Sequence, residues 1–295
     1  METKSYALLD SGGGRKLERF GPHVLARPCG QALWRTQLPA AAWEAADASF
    51  DREEGQRWLH RGRLPAAWEI EVEGLRFRLS GTDFGHLGIF PEQRDTWRWL
   101  QRALAGAAAG GRTPQVLNLF AYSGGATLAA ARAGAVVCHL DASAGMVQWA
   151  RENAARNGLE AAPIRWIADD AHKFLGRERK RGRRYDAIVL DPPSFGRGAQ
   201  GEVYKLERDL PATLELCAAL LSDRPVLFAL SAHTPGVTPL VLEHLLRDAL
   251  GSCAGTYASG EMLLTGAAGV RPVPSGCFSR WQGKPAPALE PSQKE

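Results

Sequence analysis

Val116-Leu-Asn-Leu-Phe-Ala-Tyr-Ser-Gly-Gly-Ala-Thr127 runs from an apolar strand through a small-residue turn into a helix. A buried strand that feeds a helix through a glycine-bearing turn opens a βαβ unit. Outward from this stretch the rhythm repeats. Residues 115–120 read as a strand, 126–133 as a helix, 136–140 as a strand, and 143–157 as a helix capped by Ser143. Residues 164–167, 185–190 and 225–230 continue as strands, with helices over 171–181, 202–221 and 239–250. Residues 255–264 and 276–281 supply the last strands, with an antiparallel partner. Such alternation predicts a doubly wound α/β fold, a mainly parallel, seven-stranded, Rossmann-like sheet covered on both faces.

In an open parallel sheet a ligand sits beyond the carboxyl ends of the strands, where the strand order reverses. The candidate loop holds Asn118, Phe120, Tyr122, Ser123, Gly124 and Gly125. The two glycines let the backbone approach a ligand, and Ser123 is placed to cap the next helix. The loop lacks G-x-G-x-x-G, which a nicotinamide dinucleotide needs to bring its pyrophosphate to the helix N-terminus. S-adenosylmethionine has no phosphate to place there. The second strand ends in Asp141-Ala142-Ser143, near the roughly 20-residue interval at which a carboxylate reaches a ribose hydroxyl. The third ends in Asp169-Asp170, where a carboxylate can accept from an adenine amino group. Asp170 has an equal claim as the cap of the following helix.

The fourth strand ends in Asp191-Pro192-Pro193-Ser194-Phe195. Two prolines stop the strand and stiffen the turn. Asp191 and the Pro192 carbonyl are placed to accept hydrogen bonds from a nitrogen nucleophile, and Phe195 to stack on an extruded base. With these motifs in hand, the chain resembles the class I S-adenosylmethionine-dependent ribosomal RNA methyltransferases that modify large-subunit RNA, in the branch with a small β domain in front and no PUA domain. Further matching stretches are Leu8-Leu-Asp-Ser-Gly12, Leu17-Glu-Arg-Phe-Gly21, Phe84-Gly-His-Leu-Gly-Ile-Phe-Pro-Glu-Gln93 and Trp149-Ala-Arg-Glu-Asn-Ala154. The resemblance implies methyl donation from S-adenosylmethionine, with Phe90 to Gln93 packing over the cofactor and Asp141 and Asp169 holding its ribose and adenine. Members that methylate cytosine C5 carry a cysteine after strand five, where this chain has Leu230-Ser-Ala-His233. A ribosomal RNA nitrogen is therefore the expected target, and a protein side chain or small molecule the alternative acceptor. Ser194, standing between Pro193 and Phe195, departs from the usual amine-methylating motif.

The rest of the chain bounds this reading. Its 295 residues, 45% hydrophobic and 23% charged, suit one α/β domain and a small accessory unit. Residues 1–80 read as a small β-rich unit, 81–282 as the methyltransferase domain and 283–295 as a mobile tail. Trp34, Trp43, Trp58 and Trp68 read as its core rather than as base-stacking platforms. Five cysteines and seven histidines show no ligand spacing, so no metal is expected. No segment is apolar enough for a membrane span, and none looks like a leader, so the expected location is cytoplasmic. Arg177-Glu-Arg-Lys-Arg-Gly-Arg-Arg184 suits RNA phosphates and equally suits a solvated helix end. Lys205 follows a loop placed to close over the site, though a solvated lysine explains it as well. A nicotinamide oxidoreductase and a non-catalytic RNA-binding protein are the rival classes. The missing fingerprint disfavours the first, and the intact Asp141, Asp169 and Asp191 the second.

Overall fold

The chain begins with a five-stranded sheet, β1 (Tyr6–Gly12), β2 (Arg15–Phe20), β3 (His23–Pro28), β4 (Ala48–Asp51) and β5 (Arg57–Leu59), with α1 (Ala40–Glu44) between β3 and β4. The hairpin of β6 (Trp68–Val72) and β7 (Leu75–Leu79) follows. The computed structural model describes residues 5–51, 55–198 and 201–284. Residues 31–34, strand-like in sequence, turn instead. There the Gly13 and Gly14 amides donate to the Trp34 and Ala32 carbonyls, and beyond them the buried Asp10 carboxylate gathers the amides of Ser11, Gln37 and Leu38 and the Trp43 indole.

The catalytic half starts with a single turn at Pro91–Gln93 that leads into α2 (Arg94–Ala109). Then come β8 (Gln115–Leu119), α3 (Gly125–Arg132), β9 (Val136–Asp141), α4 (Ala144–Arg156), β10 (Ile164–Ala168), α5 (Ala171–Lys180) and β11 (Ala187–Leu190). A small hairpin absent from the sequence expectation, β12 (Phe195–Arg197) with β13 (Val203–Lys205), precedes α6 (Leu206–Ala218). The chain continues through β14 (Leu227–Ala232), α7 (Pro239–Leu250), β15 (Gly255–Leu264) and β16 (Val273–Gly283). The seven-stranded sheet has the order β10-β9-β8-β11-β14-β16-β15, and only β16 runs against the others. Its order reverses between β8 and β11, which puts Asp141 and Asp191 on the same edge. Most of the expected tail lies outside the described residues. No helix among them is long and apolar enough to cross a membrane.

Packing crosses the division at residue 80. One hydrophobic cluster takes in Leu8 and Phe20 from the first sheet, Phe77 from the hairpin, and Trp97 and Val116 from the catalytic half. The edge of β7 meets two side chains of α4. Asn157 both accepts from and donates to the Arg76 backbone, and Asn153 accepts from the Arg78 amide. Those bonds satisfy an open strand edge that would otherwise invite pairing. The linker is fixed at Gly88, whose carbonyl accepts from Ser123 Oγ at 2.6 Å. Gly88 has φ +93°, and a Cβ there would overlap the Trp149 indole. Gly88→Ala is therefore expected to lower stability by about 1–3 kcal/mol through overpacking, read as a lower denaturant midpoint. An unchanged midpoint would show that the linker is not clamped against α4.

Candidate active site

Asp191 leaves the end of β11 with its side chain a quarter exposed. Its Oδ1 accepts from Ser231 Oγ at 2.7 Å and its Oδ2 from Gln93 Nε2 at 3.0 Å. The same Gln93 amide donates to Ser231 Oγ, at 2.9 Å, which closes a ring of three side chains. His233 Nε2 lies 3.4 Å from Asp191 Oδ2, and its Nδ1 lies 3.8 Å from Glu92 Oε1. Glu92 is buried and accepts from Ser275 Oγ at 2.7 Å. Burial alone would raise the Asp191 carboxyl, but the His233 cation, then Ser231 and Gln93, hold it below the ordinary carboxylate range. Burial likewise opposes charge on His233, yet Asp191 and Glu92 outweigh it and carry the imidazole up to about 9. Near neutral pH the site is thus an ionised Asp191 beside a protonated His233. A carboxylate held in that state is a fixed hydrogen-bond acceptor and a weak base.

The sequence names Asp191 as an acceptor and the resemblance places Phe90 to Gln93 over the cofactor; the structure makes Gln93 a partner of Asp191 and adds Ser231 and His233. Their signal in the sequence is Ser231-Ala232-His233, a hydroxyl and an imidazole at the end of β14. The structure does bring two thiols to the cleft wall, Cys29, which burial also raises, and Cys277. Cys277, on β16, sits directly across from Ala232. Burial pushes it up to about 11 and its Sγ contacts the Val237 carbonyl at 3.5 Å, so it is a poor nucleophile. Cys138 and Cys217 are buried core residues, as their positions on a strand and a helix suggest.

The loop after β8 is shaped by packing as much as by ligand access. Phe120 and Tyr122 both take left-handed backbone angles, φ 53° and 50°. Such conformations cost non-glycine residues energy and cluster at functional sites. Gly124, at φ 96°, caps α3 without a side chain. Ser123, expected as that cap, instead donates to Gly88. Gly125 was expected to admit a ligand to the backbone, but a Cβ there would overlap the Trp97 indole, so its first duty is to seat α2 against α3. Aromatic rings wall the loop: Phe90 lies 5.1 Å from Tyr122 and 5.5 Å from His233, and Phe120 5.1 Å from Tyr204.

Asp141 closes β9 with Oδ2 accepting from the Tyr122 amide and Oδ1 from the Ser143 amide, both at 2.9 Å. Burial raises its pKa although both amides oppose this. It lines the cleft with Ala142 and Ser143, so a carboxylate with its orientation fixed is present where a ribose diol would need one. Ser143 itself caps α4, accepting from the Met146 amide. Asp169 and Asp170 are placed differently. Asp169 accepts from the Asp170 amide and is bonded to Arg177, while Asp170 caps α5 by accepting from the Lys173 amide. Neither lines the cleft. Strand-end position alone did not show that Arg177, two turns along α5, returns to Asp169.

Two cavities meet at this edge. A cleft of about 1480 Å³ runs between the first sheet and the strand ends, bordered by Arg27, Phe84, Asp141, Asp191, Phe195 and His233. An inner cavity of about 60 Å³ shares Phe90, Phe120, Tyr122 and Asp191 with it and reaches under α2 to Asn118 and Arg280. Phe195 is 51% exposed at the cleft rim, with the Arg197 guanidinium 5.6 Å over its ring. Ser194, the intervening residue, is bonded to Thr234 Oγ1 at 2.7 Å. Pro192 is buried beneath the turn, whereas Pro193 is exposed. Lys205 is exposed and lines neither cavity. Within the basic stretch, Arg177 and Arg181 are paired to Asp169 and Glu178, whereas Arg179, Lys180 and Arg183 are exposed.

Residues 40–251 match the model of the S-adenosylmethionine-dependent methyltransferase family. That span is well over half of the chain, and the chain belongs to this family. S-adenosylmethionine is its cofactor, and the orientated Asp141 carboxylate and the phosphate-free loop after β8 fit it. A solved methyltransferase from Agrobacterium tumefaciens is 41% identical, with a TM-score of 0.89 over 95% of this chain and 91% of that one. Ribosomal RNA large subunit methyltransferase I of Shewanella denitrificans is 37% identical over 54% of this chain and 40% of its own length. Ribosomal RNA large subunit methyltransferase K of Neisseria meningitidis is 28% identical over 72% of this chain and 61% of its own length. The chain thus spans less than two thirds of these two curated relatives.

The Asp191–His233 pair gives stability a definite pH window. The raised imidazole contributes fully below its usual 6.5, and its contribution fades as pH climbs through about 9. The lowered carboxyl contributes above its usual 3.8, and that contribution is lost as pH falls below it. The stability gap between the native protein and a His233→Gln variant should therefore be widest between these two values and shrink toward pH 9. Denaturant titrations at stepped pH test this, and a gap that grows with pH would contradict the charge assignment.

Proposed function

We propose that the protein is a cytoplasmic enzyme that transfers a methyl group from S-adenosylmethionine to a base nitrogen in large-subunit ribosomal RNA. One observation carries this reading. An ionised acceptor, Asp191, stands at the inner end of a cleft whose rim holds an exposed aromatic ring, Phe195. That combination suits a flat, nitrogen-bearing group taken out of a stack. The names of the two curated relatives support RNA as the acceptor.

When bound, the cofactor supplies an electrophilic methyl group, so the protein's task is alignment and exclusion of water. Asp191 and the Pro192 carbonyl accept from the acceptor's N–H groups and turn its lone pair toward the cofactor side of the site. Gln93 and Ser231 fix the rotamer of Asp191 by occupying one lone pair on each oxygen. His233 keeps the carboxylate charged and therefore accepting. The ring wall of Phe90 and Tyr122 keeps water from the inner cavity. Taking up the methyl leaves the acceptor nitrogen positively charged, and that cation is acidic enough to release a proton to water, so no strong base is required.

We assign residues 1–80 as an accessory unit facing the RNA, because Lys16 and Arg27 border the cleft opposite Phe195. Both cations also hold the buried Glu18, so their pull on phosphate is partly spent within the fold. Arg179, Lys180 and Arg183 supply free positive charge nearer α5.

Mass spectrometry of large-subunit RNA nucleosides from cells with and without the gene tests the acceptor. Loss of one methylated base on deletion is expected, and an unchanged nucleoside profile would move the acceptor to another class. On that RNA, Asp191→Asn should lower the single-turnover rate about 10²-fold or more with cofactor affinity changed far less. Phe195→Ala should weaken RNA binding by about 1–3 kcal/mol, the worth of one base stack. Full activity in both variants would remove the proposed acceptor site.

A further inference from the structure

Arg280 lies on β16 opposite Ala229, in a row that runs Asn118, Val189, Ala229, Arg280 across four neighbouring strands. Side chains of that row line the inner cavity under α2. The Arg280 Nη2 donates to Thr96 Oγ1 at 2.8 Å, and its guanidinium carbon lies 4.1 Å from the Phe278 ring centroid and 5.2 Å from that of Trp99. No carboxylate among the described residues forms an ion pair with it, and its buried Nε has no acceptor. Burial pulls the group down to about 10, with Asp95 opposing from a distance and Arg102 adding repulsion. Rings compensate a cation only in part. A half-buried cation with an idle, buried donor and no counter-ion is a costly feature for a fold to retain.

The cavity is joined to the cleft at Phe90, Phe120, Tyr122 and Asp191, and it is also lined by Asn118, Ser123 and Gly125 from the loop after β8. The cofactor of this family carries one carboxylate, at the end of its methionine moiety. We propose that Arg280 receives that carboxylate, and that the inner cavity is the seat of the cofactor's amino-acid end. This rests on the cofactor assignment and is independent of the acceptor. In it, Arg280 provides the missing half of an ion pair that forms when the cofactor binds, with Thr96 and the two rings holding the guanidinium in place beforehand. A charged, two-pronged donor of this kind distinguishes a nucleoside bearing an amino-acid tail from one without it.

Two ligands separate this role from a structural one. S-adenosylhomocysteine keeps the amino-acid end, and 5′-methylthioadenosine lacks it while sharing the adenosine and the sulfur. Calorimetry on the full chain should show Arg280→Met weakening S-adenosylhomocysteine binding by about 10- to 100-fold, the scale of one charge-assisted hydrogen bond. Binding of methylthioadenosine should stay within about twofold, since nothing it presents reaches the guanidinium. Arg280→Lys, which keeps the charge but loses the fork, should fall between the two. The melting temperature of the ligand-free Arg280→Met protein should equal or exceed that of the native chain. Equal losses for both ligands, or no loss for S-adenosylhomocysteine, would overturn the assignment. Failure of the native chain to bind S-adenosylhomocysteine would instead strike the cofactor assignment itself. Should Arg280→Met not fold, the Lys variant alone decides through the same pair of ligands.

Discussion

The ion pair between Asp191 and His233 sets the chemistry of the strand-end edge. Burial alone would raise the Asp191 carboxyl, and the imidazolium is the largest of the influences that hold it low. Glu92 shares the burden by facing the far nitrogen of the same ring. Three elements distant in sequence therefore meet in one electrostatic unit: the turn before α2, the end of β11 and the end of β14. Their convergence is a consequence of the sheet order, which sets β14 beside β11 and lays α2 across both.

The same geometry explains why the first sheet is more than an appendage. Its residues share a core with the catalytic half, and the linker is pinned at Gly88 by Ser123 of the cofactor loop. The β6–β7 hairpin is tied to α4 by Asn153 and Asn157. A displacement of the accessory unit would therefore be felt by the loop after β8 and by Phe90, which lies between His86, Tyr122 and His233.

Much of this was legible in the sequence because periodicity and glycine placement report backbone facts. The βαβ alternation after residue 115, the Ser143 cap and the Asp191 turn all depend on neighbours close in the chain. What escaped depends on contacts between distant positions. Gly125 lines the inner cavity and also makes room for Trp97, and Asp169 at its strand end is bonded to Arg177. Of the β12–β13 hairpin, β13 falls inside the helix expected over 202–221 and β12 before it, since three-residue strands carry too little alternation to register. The charge on His233 depends on Asp191 and Glu92, which meet it only in the folded chain. Arg280 has no local signature, as its lack of a counter-ion exists only in the folded chain.

An NMR titration of the His233 imidazole, assigned by comparison with His233→Gln, addresses the central interaction most directly. The account predicts a midpoint near 9, with the ring charged throughout the neutral range. A midpoint at or below the usual 6.5 would mean that His233 is neutral when the protein works, that Asp191 lacks its counter-cation, and that the acceptor role assigned to it is wrong.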